Sequence, residues 1–235
     1  DNAVVKSFLE IPTADSIDFI RWKLTIQNNR YHLQCNYGIG QPNTNGFVSG
    51  GKKIELNGHY EKVNSHYRLR NGTKVLKAIE VNTDLFHLLN QDNTLMIGNG
   101  GWSYTLNNTD PAGSSEISVP IAATTFKDSI AFHGRTPCGV PGIIAPGKSC
   151  YKLKWYLILY SDKNRERSGS FTVSGTPWRQ EGAKAGKWRI ITGKQGQTIY
   201  RLTYRNGDNF LFLLKLDENI LAFTDPNGKL LVGDA

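Results

Sequence analysis

His133, Cys138 and Cys150 are the residues whose types and spacing could do chemistry in this sequence. The histidine precedes the first cysteine by five positions, and a Gly/Pro-rich run, Gly139-Val-Pro-Gly142 through Pro146-Gly147, separates the two cysteines. Imidazole and thiolate are ligands for zinc and copper, but a closed zinc site takes four donors and no fourth lies nearby. Copper handling also draws on thioethers, and Met96 is the chain's one methionine. The same two cysteines could instead close a disulfide across the loop base in an oxidising compartment. Spacing alone does not choose between these, since disulfide geometry is a property of the fold. No bound metal and no cofactor are expected. Cys35 alternates with hydrophobics in Tyr31-His-Leu-Gln-Cys35 and reads as a buried free thiol.

A second chemical pattern is basic. Lys184, Lys187, Arg189, Lys194, Arg201 and Arg205 interleave with Trp188, Tyr200 and Tyr204. Such a mixture suits a sheet that stacks bases beside a phosphate track. It equally suits strands that bury alternate residues and cover the outer face with long cations. Basic patches alone are weak ground for nucleic acid, which is not the expected partner. His32, His59, His66 and His87 neighbour strand aromatics or hydrophobics and read as half-buried structural positions. Catalysis needs a nucleophile beside a base, or a paired acid and base. The chain has no Gly-x-Ser-x-Gly, no His-Glu-x-x-His and no Walker-type loop. Gly98-Asn-Gly-Gly101 lacks the helix that a phosphate loop requires. An enzyme is not expected.

The elements that would position these residues are strands. Trp22-Lys-Leu-Thr-Ile26, Tyr31-His-Leu-Gln-Cys35 and Tyr151-Lys-Leu-Lys-Trp155 alternate apolar and polar residues, the mark of a half-buried strand. Gln27-Asn-Asn-Arg30 is a short hairpin loop, and Asn-Gly recurs at 71–72, 206–207 and 227–228. Asn-Gly supplies the positive φ of primed hairpin turns. No window of twelve or more residues has helical periodicity. The longest dense apolar stretch, Phe210-Leu-Phe-Leu-Leu214, is strand length, far short of the roughly 20 residues that a spanning helix needs.

Four short matches recur in order. Val48-Ser-Gly50 is matched by Val173-Ser-Gly175, Gly58-His-Tyr60 by Gly186-Lys-Trp188, Tyr67-Arg-Leu69 by Tyr200-Arg-Leu202, and Leu88-Leu89 with Asp92 by Leu213-Leu214 with Asp217. Two copies of one module account for them. The expectation is an all-β chain of two tandem small antiparallel β-barrels. The first occupies residues 1–108, a polar Pro/Gly-broken linker 109–124, and the second 125–235. The second copy stops before any counterpart of Trp102-Ser-Tyr-Thr-Leu106. Net charge is +8, and residues 126–235 carry all of it, with 17 Lys+Arg against 9 Asp+Glu. A basic half could meet phosphates or an anionic surface.

Phe132-His-Gly-Arg-Thr-Pro-Cys-Gly-Val-Pro-Gly-Ile143, Gly186-Lys-Trp188 and Trp102-Ser-Tyr-Thr-Leu106 resemble the N-terminal domain of NlpE-like outer-membrane lipoproteins, a family linked to copper resistance and envelope stress. Ile11-Pro-Thr-Ala-Asp-Ser16 sits where the first copy would carry the family's Pro-Cys-x-x-Cys. Thr13 and Ser16 replace both cysteines there, and Pro141 stands near the second position in the other copy. Neither copy keeps the pair, so the copper or redox role does not carry over. The resemblance implies a lipocalin-like barrel, a periplasmic or outer-membrane location, a lipid anchor upstream, and a protein partner or small ligand in the cell envelope. A carrier of a small apolar ligand is a further expectation for the same barrel. A polyanion or nucleic-acid binder acting through the basic second barrel is another.

Overall fold

In the structure, a computed structural model, residues 3–98, 102–113, 116–119, 127–144, 150–162 and 165–233 are described. The chain is nearly all β, in two nearly closed antiparallel sheets of seven strands each. It divides into two compact units: Asp1–Val81, Leu85–Asn99 and Tyr104–Leu106 form one, and Asn82–Asp84, Gly100–Ser103 and Asn107–Ala235 the other. Of the expected linker, 114–115 and 120–124 lie outside the described residues, as do 99–101 of the glycine run before Trp102.

The first sheet is a meander of β1 (Phe19–Gln27), β2 (Arg30–Gly38), β3 (Lys52–Val63), β4 (His66–Asn71), β5 (Lys74–Asn82), β6 (Leu85–Leu89) and β7 (Thr105–Asn107). Its hairpins form where residues accept positive φ: Asn28 and Asn29 at 50° and 59°, Asn64 at 54° and Gly72 at 56°. β2 buries alternate residues, so Tyr31, Leu33 and Cys35 face inward between exposed Arg30 and Gln34. A six-residue helix, α1 (Ala3–Phe8), precedes the sheet. Its Val5 and Phe8, with Leu9 and Ile11, are buried in the core of the first unit. Asn71 Nδ2 donates to the Phe8 carbonyl at 2.9 Å, satisfying one helix-end acceptor. Two turns or fewer leave no periodicity to read, which is why the sequence shows no helix here.

The second sheet contains β8 (Ser129–Thr136), β9 (Leu153–Asp162), β10 (Arg165–Gly175), β11 (Lys184–Thr192), β12 (Thr198–Tyr204), β13 (Asn209–Lys215) and β14 (Leu221–Thr224). Leu153, Trp155, Leu157 and Leu159 of β9 point inward and join Phe171, Val173, Trp188 and Leu202 in a packed core. Gly207 and Gly228 take positive φ at the two Asn-Gly turns, 91° and 82°.

Register shows which strands correspond. Tyr60 lies opposite Leu69 across β3 and β4, and Trp188 opposite Leu202 across β11 and β12. Gly58 faces Tyr31 and Gly186 faces Phe171. Beyond β6 and β14, the isolated bridges Leu89–Leu95 and Thr224–Leu230 repeat the same closing turn. Thus β1–β6 correspond to β9–β14. The seventh strand comes from opposite chain ends: β7 beside β6 in the first sheet, β8 beside β9 in the second.

Two of the four matched motifs are therefore equivalent and two are not. Val48–Gly50 is a 3₁₀ turn after β2, whereas Val173-Ser-Gly175 ends β10. Leu88-Leu89 lies on β6, but Leu213-Leu214 lies on β13, one strand earlier in the repeat. A leucine doublet fits any buried strand, so it carries no strand identity. The Gly-x-aromatic and Tyr-Arg-Leu motifs do carry it, because a ring must cross the glycine. Tyr31 lies over Gly58 and donates to the Arg70 carbonyl at 2.9 Å.

Candidate functional site

Cys138 and Cys150 are joined in a disulfide, with Cα atoms 6.0 Å apart. That pairing occupies both sulfurs, so they do not serve as thiolate ligands beside His133. The imidazole of His133, on the outer side of β8, meets Tyr156 edge-on, with ring centroids 4.2 Å apart. Among the described residues no group of three or more His, Cys, Asp and Glu side chains converges. The bridge closes a loop of the second unit between β8 and β9. Val140 of that loop is buried and Ile143 packs on the core; residues 145–149, including Pro146 and Gly147, lie outside the described residues.

The first unit closes the segment before β1 without a covalent bond. Asp15 accepts from Lys52 Nζ at 2.7 and 2.8 Å and from the Tyr37 hydroxyl at 2.8 Å. Lys6 Nζ donates to the Asp15 carbonyl at 3.1 Å. The hydrogen bonds from Lys52 and then Tyr37 hold the Asp15 carboxyl below its ordinary value. Burial first, and the bond to Asp15 second, push the Tyr37 phenol up to about 12. Ile11 enters the core beside this cluster, as Val140 does beside the disulfide. Sequence reasoning marked Asp15 only as a place where a cysteine pair was missing. Its neighbours are 22 and 37 positions away, so no local pattern reveals the cluster.

The interleaved basic and aromatic residues separate onto opposite faces. Trp188 and Tyr200 are buried at 3% and 7% exposure, so neither ring can stack on a base. Trp188 Nε1 donates to the Tyr160 carbonyl at 3.0 Å, and burial raises the Tyr200 phenol pKa. Lys187 and Arg189 project outward from β11, and Arg189 lies directly opposite Arg201. Arg201 Nε donates to Asn209 Oδ1 at 2.7 Å. Lys184 sits at the strand's start and pairs with Glu181 at 2.7 Å, while exposed Lys194 and Arg205 lie in the turns flanking β12. The six cations are thus not one patch.

The histidines also divide by face. His59 and His66 are exposed rather than half-buried, because their neighbours Tyr60 and Tyr67 take the inward positions. His32 contacts Asn57 Oδ1 at 2.8 Å and Glu55 at 3.4 Å on the outer face. His87 is 1% exposed, between Thr105 Oγ1 at 3.0 Å and the Met96 carbonyl at 2.9 Å. Cys35 is free and buried, and burial pushes its thiol up to about 12, which makes it a poor nucleophile.

Trp102, the aromatic of the motif that ends the first copy, belongs to the second unit. Arg135 Cζ and Lys152 Nζ each lie 4.6 Å from its ring centroid. A cleft of about 390 Å³ opens in the second unit, lined by Lys154, Ser174, Thr176 and Arg179 around Trp178. No helix among the described residues is long and apolar enough to cross a membrane. Compared with protein-family models, curated proteins and solved structures, the chain matches none.

Proposed function

We propose that this chain is a non-enzymatic binding or sensing module of the cell envelope, of the NlpE-like lipoprotein type. The observation that carries the reading is the Cys138–Cys150 disulfide, which pins the loop that follows the Phe-His-Gly segment. Such a bridge persists in oxidising compartments and is rare where thiols are kept reduced. Loss of the Cys-x-x-Cys spacing argues for a structural sulfur pair here, rather than one that carries copper or exchanges disulfides.

The packed interiors support binding over carriage. Both barrels fill their inner faces with large side chains, among them Leu33 and Leu69 in the first and Phe171 and Leu202 in the second. A partner would therefore be met on an outer face. The test is to fractionate cells that express the full precursor and then alkylate each fraction under denaturing conditions without reductant. One alkylated cysteine, Cys35, in a chain recovered with the envelope is the expected result. Three alkylated cysteines, or a chain recovered in the cytosol, would overturn the proposal.

A further inference from the structure

The outward face of β8–β12 sets exposed tyrosines, hydroxyls and cations side by side. Three strands, β8, β11 and β12, contain no Asp or Glu, and β9 and β10 contain none over 153–161 and 167–175. Register aligns the outward residues into rows. Ser129, Tyr160, Ser170, Lys187 and Thr203 form one row across five strands. Ala131, Ile158 and Thr172 form the next, then His133, Tyr156 and Ser174, and finally Arg135 beside Lys154. On the other side lie Ser168, Arg189 and Arg201.

Down the strands, the surface is an aromatic stripe on β9, a hydroxyl ladder on β10 and a cation row on β11 and β12. Tyr156 and Tyr160 expose 39% and 38% of their surface, with Ile158 between them. The area is roughly 13 Å along the stripe and about 19 Å across the strands. No described carboxylate pairs with Lys187, Arg189 or Arg201. On the first unit's outer face β3 supplies acids: His32 meets Glu55 at 3.4 Å, and Arg70 meets Glu61 at 2.9 Å. In the first sheet β1, β2 and β4 likewise contain no Asp or Glu; what sets the second sheet's face apart is that Tyr156 and Tyr160 stand exposed beside its cations.

We propose that this face binds an acidic glycan, a chain of sugars bearing carboxylates or sulfates. The proposal rests on the binding-module reading and names its ligand class. Tyrosine rings lying along a sheet offer apolar platforms to sugar faces, and Ser170, Thr172 and Ser174 offer both donors and acceptors to sugar hydroxyls. Lys154 at one end, with Lys187, Arg189 and Arg201 at the other, answers the acidic groups. A hydroxyl ladder adds little against a lipid surface. Trp188 and Tyr200 are buried, so base stacking would fall to the same two tyrosines without using the hydroxyl ladder, which the oligo-dT probe tests.

The experiment uses the full chain with four probes near physiological salt: oligogalacturonate, its methyl-esterified uncharged form, oligo-dT, and phosphatidylglycerol vesicles. Oligogalacturonate should bind and the methyl ester should not. The double variant Lys187→Glu/Arg189→Glu should bind about tenfold more weakly. In the first unit, Lys23→Glu/Lys53→Glu makes the same change in net charge and should alter binding less than about twofold. The double variant Tyr156→Ala/Tyr160→Ala, exposed and uncharged, should bind several-fold more weakly with its melting curve kept. Equal loss in the first-unit variant, no loss in the tyrosine variant, no binding of oligogalacturonate, or tighter binding of oligo-dT or vesicles would each overturn the proposal. Failure here with the disulfide-bonded chain in the envelope would leave the module reading standing. A reduced cytosolic chain would remove that reading whatever the glycan does.

Discussion

Asp15 accepts from Lys52 and Tyr37 in the segment that leads into β1. Its carboxyl lies below its ordinary value of 3.8, first through the Lys52 hydrogen bond and then through Tyr37. A carboxylate with a lower pKa in the folded state binds fewer protons there than in the unfolded chain. Its stabilisation is full above 3.8 and is lost as pH falls through the folded value. Asp15→Asn should therefore lower the urea midpoint at neutral pH and narrow the gap between neutral and strongly acid midpoints. An unchanged gap would show that the cluster does not contribute to acid sensitivity. Cys35 was legible as a buried thiol from its alternation alone. His59 and His66 were not legible as exposed, because an aromatic neighbour says only that one of the two points inward.

Glycines set the close approaches between strands. A Cβ at Gly58 would run into the Arg70 carbonyl and the Tyr31 ring; one at Gly186 would meet the Thr203 carbonyl and the Phe171 ring. Gly58→Ala and Gly186→Ala should each destabilise by about 2 kcal/mol, as overpacking does, visible as lower melting temperatures. A neutral effect at either would mean that both the ring and the facing strand can shift. The loop before β9 is held covalently. With cysteines 12 positions apart, the closure entropy corresponds to roughly 3 kcal/mol. The double variant Cys138→Ser/Cys150→Ser should lower the denaturant midpoint by about that much, while a midpoint unchanged from the parent would contradict it. The hairpins were legible because Asn-Gly and Asn-Asn fix turn conformation locally. The short helix α1 was not, since its burial of Val5 and Phe8 depends on the core that it meets.

At the scale of the molecule, one strand pattern is built twice. Leu69 and Leu202 occupy equivalent positions, 2% and 0% exposed, opposite Tyr60 and Trp188. Leu69→Ala and Leu202→Ala should each cost about 3 kcal/mol in chemical denaturation. A cost confined to one of them would show that the two cores differ in how they tolerate a cavity. The sequence by itself determined that the chain is strand-rich, where it turns, and that a module recurs, because period-two burial and turn chemistry act over a few residues. It did not determine which strands correspond, that the seventh strand comes from opposite ends of the two copies, or that Tyr160, Ser170 and Lys187 share a row. Those follow from register between strands far apart in the chain, shifted in β10 by an irregularity between Arg165 and Gly169. One residue of slip turns every side chain to the other face, so only the folded sheet decides what the surface presents.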